Sequence, residues 1–174
     1  MALYSAYGMT IDCEFDLPLA PFKPQNGNAF VLEIRSGDIP HKVRDQMGTG
    51  IYRVLSDGEI LCHFRSVAYF WVRQNQIFVD AYEPADLEAI KLHLLGSVMA
   101  TILHQQYSVV LHGCTIKIAD QALTFIGPSG IGKSTLATAF IEAGYQMLSD
   151  DVSALRYEAG EFTALPAYPQ MKLW

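Results

Sequence analysis

One eight-residue stretch, Gly127–Ser134, limits the fold of this chain more than any other. Its sequence fits the pattern G-x-x-x-x-G-K-S, which is typical of a loop that binds phosphate groups between a strand and a helix. Glycines let successive backbone N–H groups approach phosphate oxygens closely. We expect Lys133 to reach the β- and γ-phosphates of a nucleotide and the Ser134 hydroxyl to ligate Mg²⁺.

The residues on both sides of this loop support the interpretation. An apolar run of strand length, residues 122–126, leads into it, and residues 135–143 have the composition of a helix that ends at Gly144. The start of that helix offers unpaired N–H groups and a partial positive charge to an anion. The residues predicted to bind the cofactors ATP and Mg²⁺ are Gly127, Pro128, Ser129, Gly130, Ile131, Gly132, Lys133, Ser134 and Thr135.

Composition narrows the class of protein. Of the 174 residues, 51% are hydrophobic and 17% charged, which favours a packed core over disorder. The net charge of -6 argues against a nucleic-acid-binding surface, which is normally basic. Three cysteines without a C-x-x-C motif indicate a reduced, cytoplasmic setting. We expect no signal peptide and no membrane partner, because the apolar stretch 92–103 is short and interrupted by polar residues.

Residues 1–82 are predicted to form an N-terminal antiparallel β meander. Asp57-Gly58 and Asn75 each separate two apolar runs, which is typical of hairpins. Gly8 is expected to break or bulge the first strand. A proline-rich loop that ends in Asn26-Gly27-Asn28 is expected before the strand 29–35.

Residues 83–107 are predicted to form a connecting amphipathic helix. Pro84 suits a first helical position, and apolar residues then recur at three- and four-residue spacing up to Leu103. Residues 108–174 are predicted to hold the phosphate loop in a partial domain. The chain ends on apolar residues without a stop signal, and we expect it to be cut within that domain.

Three side chains near the loop are candidates for chemistry. Asp150 and Asp151 follow a predicted strand directly after the loop's helix, and carboxyl ends of such strands lie where phosphates bind. One carboxylate could hold Mg²⁺ or its waters, and the other could accept a proton from a substrate hydroxyl. His112 could orient a carboxylate or contact a phosphate, although a lone histidine on a strand is more often structural.

These segments together resemble the C-terminal catalytic domain of HPr kinase/phosphorylase. The resemblance covers about residues 109–155 and includes Leu111-His112-Gly113, the phosphate loop, and Leu148-Ser149-Asp150-Asp151-Val152. It implies an α/β (α+β) fold with a mixed sheet related to phosphoenolpyruvate carboxykinase. It also implies transfer of the ATP γ-phosphate to a serine of a protein. The catalytic residues it implies are Asp150, Asp151, His112 and Lys133, with Asp150 favoured as the base and with Ser134 and Asp151 at the metal.

Two departures from that family shape the functional expectation. The region 3–82 does not look like the family's usual N-terminal domain. The segment from Tyr7-Gly8 to Phe15, the long helix and the tail 166–174 instead resemble the HPr-kinase-related proteins of bacterial peptide-biosynthesis clusters, some of which phosphorylate the C-terminal serine of a lasso-peptide precursor. The family's downstream acidic metal-binding segment has no counterpart in this chain. We therefore expect a peptide or protein serine kinase, in a family that forms oligomers. The alternatives are a nucleotide-binding regulatory or peptide-docking module without catalysis, and a small-molecule kinase.

Overall fold

The computed structural model describes residues 1–22, 30–107 and 109–167. The expectations for the Asn26-Gly27-Asn28 loop, for residue 108 and for the tail 168–174 lie outside the described residues. The chain divides into two compact units. The described residues of the first are Met1–Tyr4, Met9–Leu17, Phe22 and 30–102, and those of the second are Ser5–Gly8, Pro18–Pro21, 103–107 and 109–167. The domain boundaries proposed from the sequence stay a prediction.

The N-terminal half is built around an eight-stranded sheet. Its strands follow the order β3-β1-β2-β4-β8-β7-β6-β5. They are β1 (Ala2–Ala6), β2 (Met9–Cys13), β3 (Ala20–Pro21), β4 (Val31–Ser36), β5 (Tyr52–Val54), β6 (Ile60–Phe64), β7 (Ala68–Arg73) and β8 (Gln76–Ala81).

The two hairpins predicted from local sequence are confirmed. β5 pairs with β6, and β7 pairs with β8, both antiparallel. A third tight turn joins β1 to β2 at Tyr7-Gly8, where both residues have positive φ, 53° and 70°. That combination matches the two-residue turn whose twist suits a hairpin. Gly8 therefore interrupts the strand, as expected, by forming the turn between β1 and β2.

The predicted all-antiparallel order of this sheet is wrong. β4 pairs parallel with β2, opposing Thr10 to Val31, and parallel with β8, opposing Glu33 to Gln76. The sheet is therefore mixed. Hairpin turns show which sequence neighbours pair, but these two parallel pairings join strands that are distant in sequence, and no local pattern marks them.

A short helix, α1 (His41–Arg44), lies between β4 and β5. Buried apolar side chains around it form one core of the first unit, at 0–6% exposure. They are Ile39, Val43, Met47 and Leu61.

The predicted connecting helix exists but starts later and is not uniform. It consists of α2 (Leu87–His93), a π-helical segment (Leu94–Val98) and α3 (Met99–Gln106). Asp86 is the N-cap, and its carboxylate accepts from the backbone N–H of Glu88 and Ala89 at 3.1 and 3.0 Å. Pro84 is therefore outside the helix, contrary to expectation, because the capping carboxylate satisfies the first-turn donors instead.

This helix is longer than the apolar stretch judged from the sequence. Leu87–Gln106 has 20 residues with a window of mean hydropathy 1.2, so by length and composition alone it could cross a membrane. However, 39% of that window is buried inside the structure, and the core helix of a soluble protein passes the same test. The finding is weak evidence, and the expected absence of a membrane partner stays a prediction.

The described residues of the second unit include a five-stranded antiparallel sheet and a helix that packs on it. Its elements are β9 (Val109–Ile118), β10 (Gln121–Ile126), α4 (Lys133–Glu142), β11 (Gln146–Ser149), β12 (Val152–Glu158) and β13 (Glu161–Ala164). The order is β10-β9-β12-β13, and β11 also pairs with β9. Helix α4 packs on this sheet through a core of Cys114, Ile116, Ala137 and Met147. The two mixed or antiparallel sheets with few helices confirm the α+β class.

Candidate active site

Strand direction brings the phosphate loop and the two aspartates to one edge of the second sheet. β10 and β11 are both antiparallel to β9, so they run parallel to each other. Their carboxyl ends therefore lie on the same side. The chain leaves β10 into the loop that begins at Gly127, and it leaves β11 into Asp150 and Asp151.

The loop has the backbone conformation that its glycines predict. Gly130 and Gly132 have φ of 81° and 99°, a region that residues with a Cβ rarely adopt. Gly132 is the N-cap of α4, and its carbonyl accepts from Leu136 N at 2.9 Å. Helix α4 begins at Lys133, two residues earlier than predicted. Lys133 and Ser134 therefore occupy the first helical turn, where unpaired N–H groups favour an anion.

The ammonium of Lys133 is held within the loop itself. Its Nζ donates to the carbonyl oxygens of Gly127 at 2.9 Å and Pro128 at 3.1 Å. These contacts place a positive charge inside the curve of the loop. A phosphate bound there would compete with two carbonyls for one ammonium.

Steric crowding explains why the segment Leu111-His112-Gly113 ends in glycine. A Cβ on Gly113 would lie 2.3 Å from the carbonyl oxygen of Phe125 on the neighbouring strand β10. The Gly113 N–H donates to the Asp151 carbonyl at 3.1 Å. Close approach of β9 to β10 therefore depends on this position, and the same residue anchors the aspartates.

The two aspartates sit where the pairing along β9 passes from β11 to β12. β11 pairs with β9 up to Thr115, and β12 resumes the pairing where Val152 opposes His112. Between them the Val152 N–H donates to the Asp150 carbonyl at 2.8 Å, and Asp151 has φ 68°. A hydrogen bond over two residues with a positive central φ defines the rarer, strained form of the γ-turn. Strain of this kind often marks functional sites.

Each aspartate side chain has a different neighbour on β9. His112 Nδ1 lies 3.1 Å from Asp151 Oδ1, and the Cys114 thiol donates to Asp150 Oδ1 at 2.9 Å. Cys114 Sγ is also 4.0 Å from Ser134 Oγ. Burial, followed by the hydrogen bond to Asp150, raises the pKa of the Cys114 thiol to about 11. This thiol therefore stays protonated near neutral pH and remains a donor.

These side chains line one cavity of about 670 Å³. Its lining residues are His112, Cys114, Ser129, Gly130, Gly132, Lys133, Ser134, Thr135, Thr138, Ala139, Glu142, Asp150 and Asp151. All four predicted catalytic residues are among them. Of the predicted cofactor-binding residues, Gly127, Pro128 and Ile131 do not contribute to the lining. The Ile131 side chain is instead 66% exposed.

Sequence reasoning missed several residues at this site. Cys114 lies two positions after His112, so strand alternation could have placed both on one face. Thr138 and Glu142 follow the predicted Thr135 at the three- and four-residue spacing of one helix face.

No local sequence pattern linked Tyr7 to the site, because Tyr7 is far from Asp150 and Asp151 in the sequence. Its buried hydroxyl donates to the Val152 carbonyl at 3.1 Å, directly after the aspartates. Burial, and then the charges of Asp151 and Asp150, raise the pKa of its phenol.

The donor set of the cavity fits Mg²⁺. Hydroxyl and carboxylate oxygens are the ligands that this ion prefers, and it usually takes one or two carboxylates together with phosphates and waters. Within the described residues, no group of three His, Cys, Asp or Glu side chains could hold a metal ion by itself. The protein therefore offers a partial ligand set that a bound nucleotide would complete.

The fold and this cavity define a class: an α+β protein in which a loop with the phosphate-binding sequence pattern and paired carboxylates line one cavity. Comparison with curated proteins adds a family likeness. The chain is 38% identical over 65 residues to an HPr kinase/phosphorylase of Chlorobium limicola, and 37% identical over 65 residues to that of Chlorobium phaeovibrioides.

That likeness is partial. The 65 matched residues are 37% of this chain and 18% of each of these two relatives. No protein-family model matches the chain, and no solved structure matches it. The similarity supports a relationship to HPr kinase/phosphorylase and a kinase-like function at that coarse level. The individual roles of the site residues stay predictions.

Proposed function

We propose that this protein is an ATP-dependent kinase that transfers the γ-phosphate to a serine of a protein or peptide. One observation carries the proposal: the phosphate loop, its lysine and both aspartates line a single cavity. The partial identity to HPr kinase/phosphorylases supports the same reaction class.

Each residue of the site has a proposed role in phosphate transfer that follows from its chemistry. Loop N–H groups and Lys133 bind and orient the phosphates, and positioning with charge neutralisation supplies most of the acceleration in phosphoryl transfer. Asp150 is our candidate for the base that takes the proton from the acceptor hydroxyl. Ser134 and Asp151 would hold Mg²⁺, which neutralises charge on the phosphates when bound. His112, next to Asp151, orients that carboxylate.

The acceptor, location and assembly belong to the same proposal. A lasso-peptide precursor with a terminal serine is the acceptor suggested by the sequence resemblance. Three buried free cysteines are consistent with a cytoplasmic protein. We propose no nucleic-acid or membrane partner, and we propose a homo-oligomer by analogy with the family.

A non-catalytic module is the alternative function. The chain spans 18% of the length of the curated relatives it matches, so the matched region alone could bind a nucleotide without catalysing transfer. This alternative predicts nucleotide binding and nucleotide-dependent peptide docking with no transfer of phosphate.

Mass spectrometry of serine-containing peptides incubated with Mg²⁺ and ATP tests both functions. We expect the native chain to add one phosphate, and Lys133→Ala to lose at least 100-fold in rate. Lys117→Ala is the matched control, since Lys117 is an exposed lysine of the same unit and does not line the cavity. Nucleotide binding without transfer to any peptide or small hydroxy compound would favour the docking module. Transfer to small compounds alone would indicate a small-molecule kinase.

A further inference from the structure

Behind the aspartate turn lies a chain of four hydroxyl groups. Thr115, Ser149 and Ser153 are each 1% exposed. Thr115 Oγ1 lies 2.9 Å from Thr124 Oγ1 and 2.8 Å from Ser153 Oγ. Ser153 Oγ lies 2.7 Å from Ser149 Oγ and 3.0 Å from the Gly113 carbonyl oxygen. The four side chains thus connect β10, β9, β11 and β12.

Donor counting fixes the direction of every bond in this chain. A hydroxyl has one hydrogen to donate and two lone pairs to accept. The Gly113 carbonyl can only accept, so Ser153 gives it its single hydrogen. Ser153 must then accept from both Thr115 and Ser149. Thr115, having donated to Ser153, accepts from Thr124. The network is therefore polarised toward the Gly113 carbonyl, and bonds aligned in this way strengthen one another.

The network closes the base of the aspartate turn. Ser149 comes immediately before Asp150, and Ser153 comes two residues after Asp151, so their mutual bond ties the two ends of the turn together. Gly113 accepts from Ser153 with its carbonyl and donates to the Asp151 carbonyl with its N–H. The strained turn is thus fixed to β9 at two points.

We propose that this hydroxyl network positions Asp150 and Asp151 for phosphate transfer, with Ser153, Thr115 and Ser149 as positioning residues. The inference rests on the kinase function proposed above. None of the three lines the cavity, so their effect on the reaction is exerted through the turn. The γ-turn is a conformation that residues other than glycine adopt at a cost, and it persists where neighbouring bonds impose it.

The test uses the full chain with hydroxyl-deleting substitutions. Ser153→Ala removes the central hydroxyl. Thr115→Val removes a hydroxyl at nearly constant shape, and Thr115→Ser restores it. Thr101→Val is the matched control, because the Thr101 hydroxyl donates to the Val98 carbonyl and both residues belong to the first unit.

Two readouts are measured on each variant. The first is kcat and the KM for ATP in peptide phosphorylation. The second is hydrogen exchange at the Gly113 and Val152 amides, whose N–H groups bond to the turn. We expect Ser153→Ala and Thr115→Val to lower kcat at least tenfold, leave KM for ATP within about twofold, and speed exchange at both amides at least tenfold. Thr115→Ser and Thr101→Val should match the native chain.

Each outcome separates the two proposals. Unchanged exchange and unchanged kcat in both deletions would overturn the positioning role. If Ser153→Ala does not fold, the comparison of Thr115→Val with Thr115→Ser tests the positioning role by itself. If the native chain transfers no phosphate, the kinase proposal fails, and exchange at the two amides still shows whether the hydroxyls hold the turn. Faster exchange with unchanged kcat would show that the turn is held but that its position does not limit the reaction, which also refutes the inference.

Discussion

Replacing Gly113 by alanine tests how closely the second sheet is packed beneath the site. The new Cβ would lie 2.3 Å from the Phe125 carbonyl oxygen, 3.1 Å from Ile126 Cγ2 and 3.2 Å from the Phe125 carbonyl carbon. Real Cβ contacts essentially never fall below 3.0 Å. β9 and β10 must therefore separate by at least 0.7 Å, the difference between 3.0 and 2.3 Å. The obstacle is backbone, so no side chain can rotate away.

The size of the effect follows from two contributions. Overpacking costs about 1–3 kcal/mol, and weakening one ladder hydrogen bond costs about 1 kcal/mol more. We expect Gly113→Ala to lower the free energy of unfolding by about 2–4 kcal/mol, a large share of the roughly 5–15 kcal/mol typical of a domain. For a urea m-value of about 2 kcal/mol/M, the midpoint would fall by about 1–2 M.

Urea denaturation followed by circular dichroism measures this shift, with Gly37→Ala as the control. A Cβ on Gly37 meets no atom within 4 Å, so the free energy of unfolding of this variant should change by no more than about 0.5 kcal/mol. Equal midpoints for Gly113→Ala and the native chain would show that the strands are not as close as described.

Three further predictions concern the first unit. Asp86→Ala removes the N-cap of the long helix and should cost about 1 kcal/mol, measured by thermal unfolding; no loss would mean that the cap is not formed in solution. Burial raises the pKa of the Cys13 thiol to about 11 and that of Cys62 to about 12, so both should react slowly with a thiol reagent at pH 8 and rapidly in urea. Because folding raises the pKa of both thiols above about 9, the stability gained by burying them as neutral thiols is complete below pH 9 and declines as the pH rises toward 11–12. Rapid labelling of the native protein at pH 8 would contradict the burial of these thiols. Glu59→Gln should destabilise modestly, by about 1 kcal/mol, since its carboxylate accepts from Trp71 Nε1 and Arg73 Nε, each at 2.8 Å, and a shift in tryptophan fluorescence should accompany the change.

Local sequence predicted those features that depend on local chemistry. The loop glycines and Asp57-Gly58 fix their own backbone, because only a small set of residues suits such turns. The placement of Asp150 and Asp151 near the loop also followed from their position at a strand end. These features need information from a few neighbouring residues.

The remaining features depend on residues far apart in sequence. The parallel pairing of β4 with both β2 and β8 has no local pattern, and the γ-turn at Asp151 exists because Gly113 and the hydroxyl groups impose it. The π-helical segment within the long helix likewise has no distinctive residue pattern. In each case tertiary contacts override local preference, and single-sequence reasoning cannot weigh them.

The contacts of Tyr7 have a consequence for the order in which the second unit can form during synthesis. Tyr7 belongs to that unit, its N–H donates to the Pro166 carbonyl at 2.7 Å, and its hydroxyl bonds to Val152. Tyr7 is synthesised near the start of the chain, but it can form its hydrogen bond to Pro166 only after Pro166 has left the ribosome. The Tyr7 contacts are therefore complete only after synthesis of the chain through Pro166, although the residues that line the cavity have all been made by Asp151.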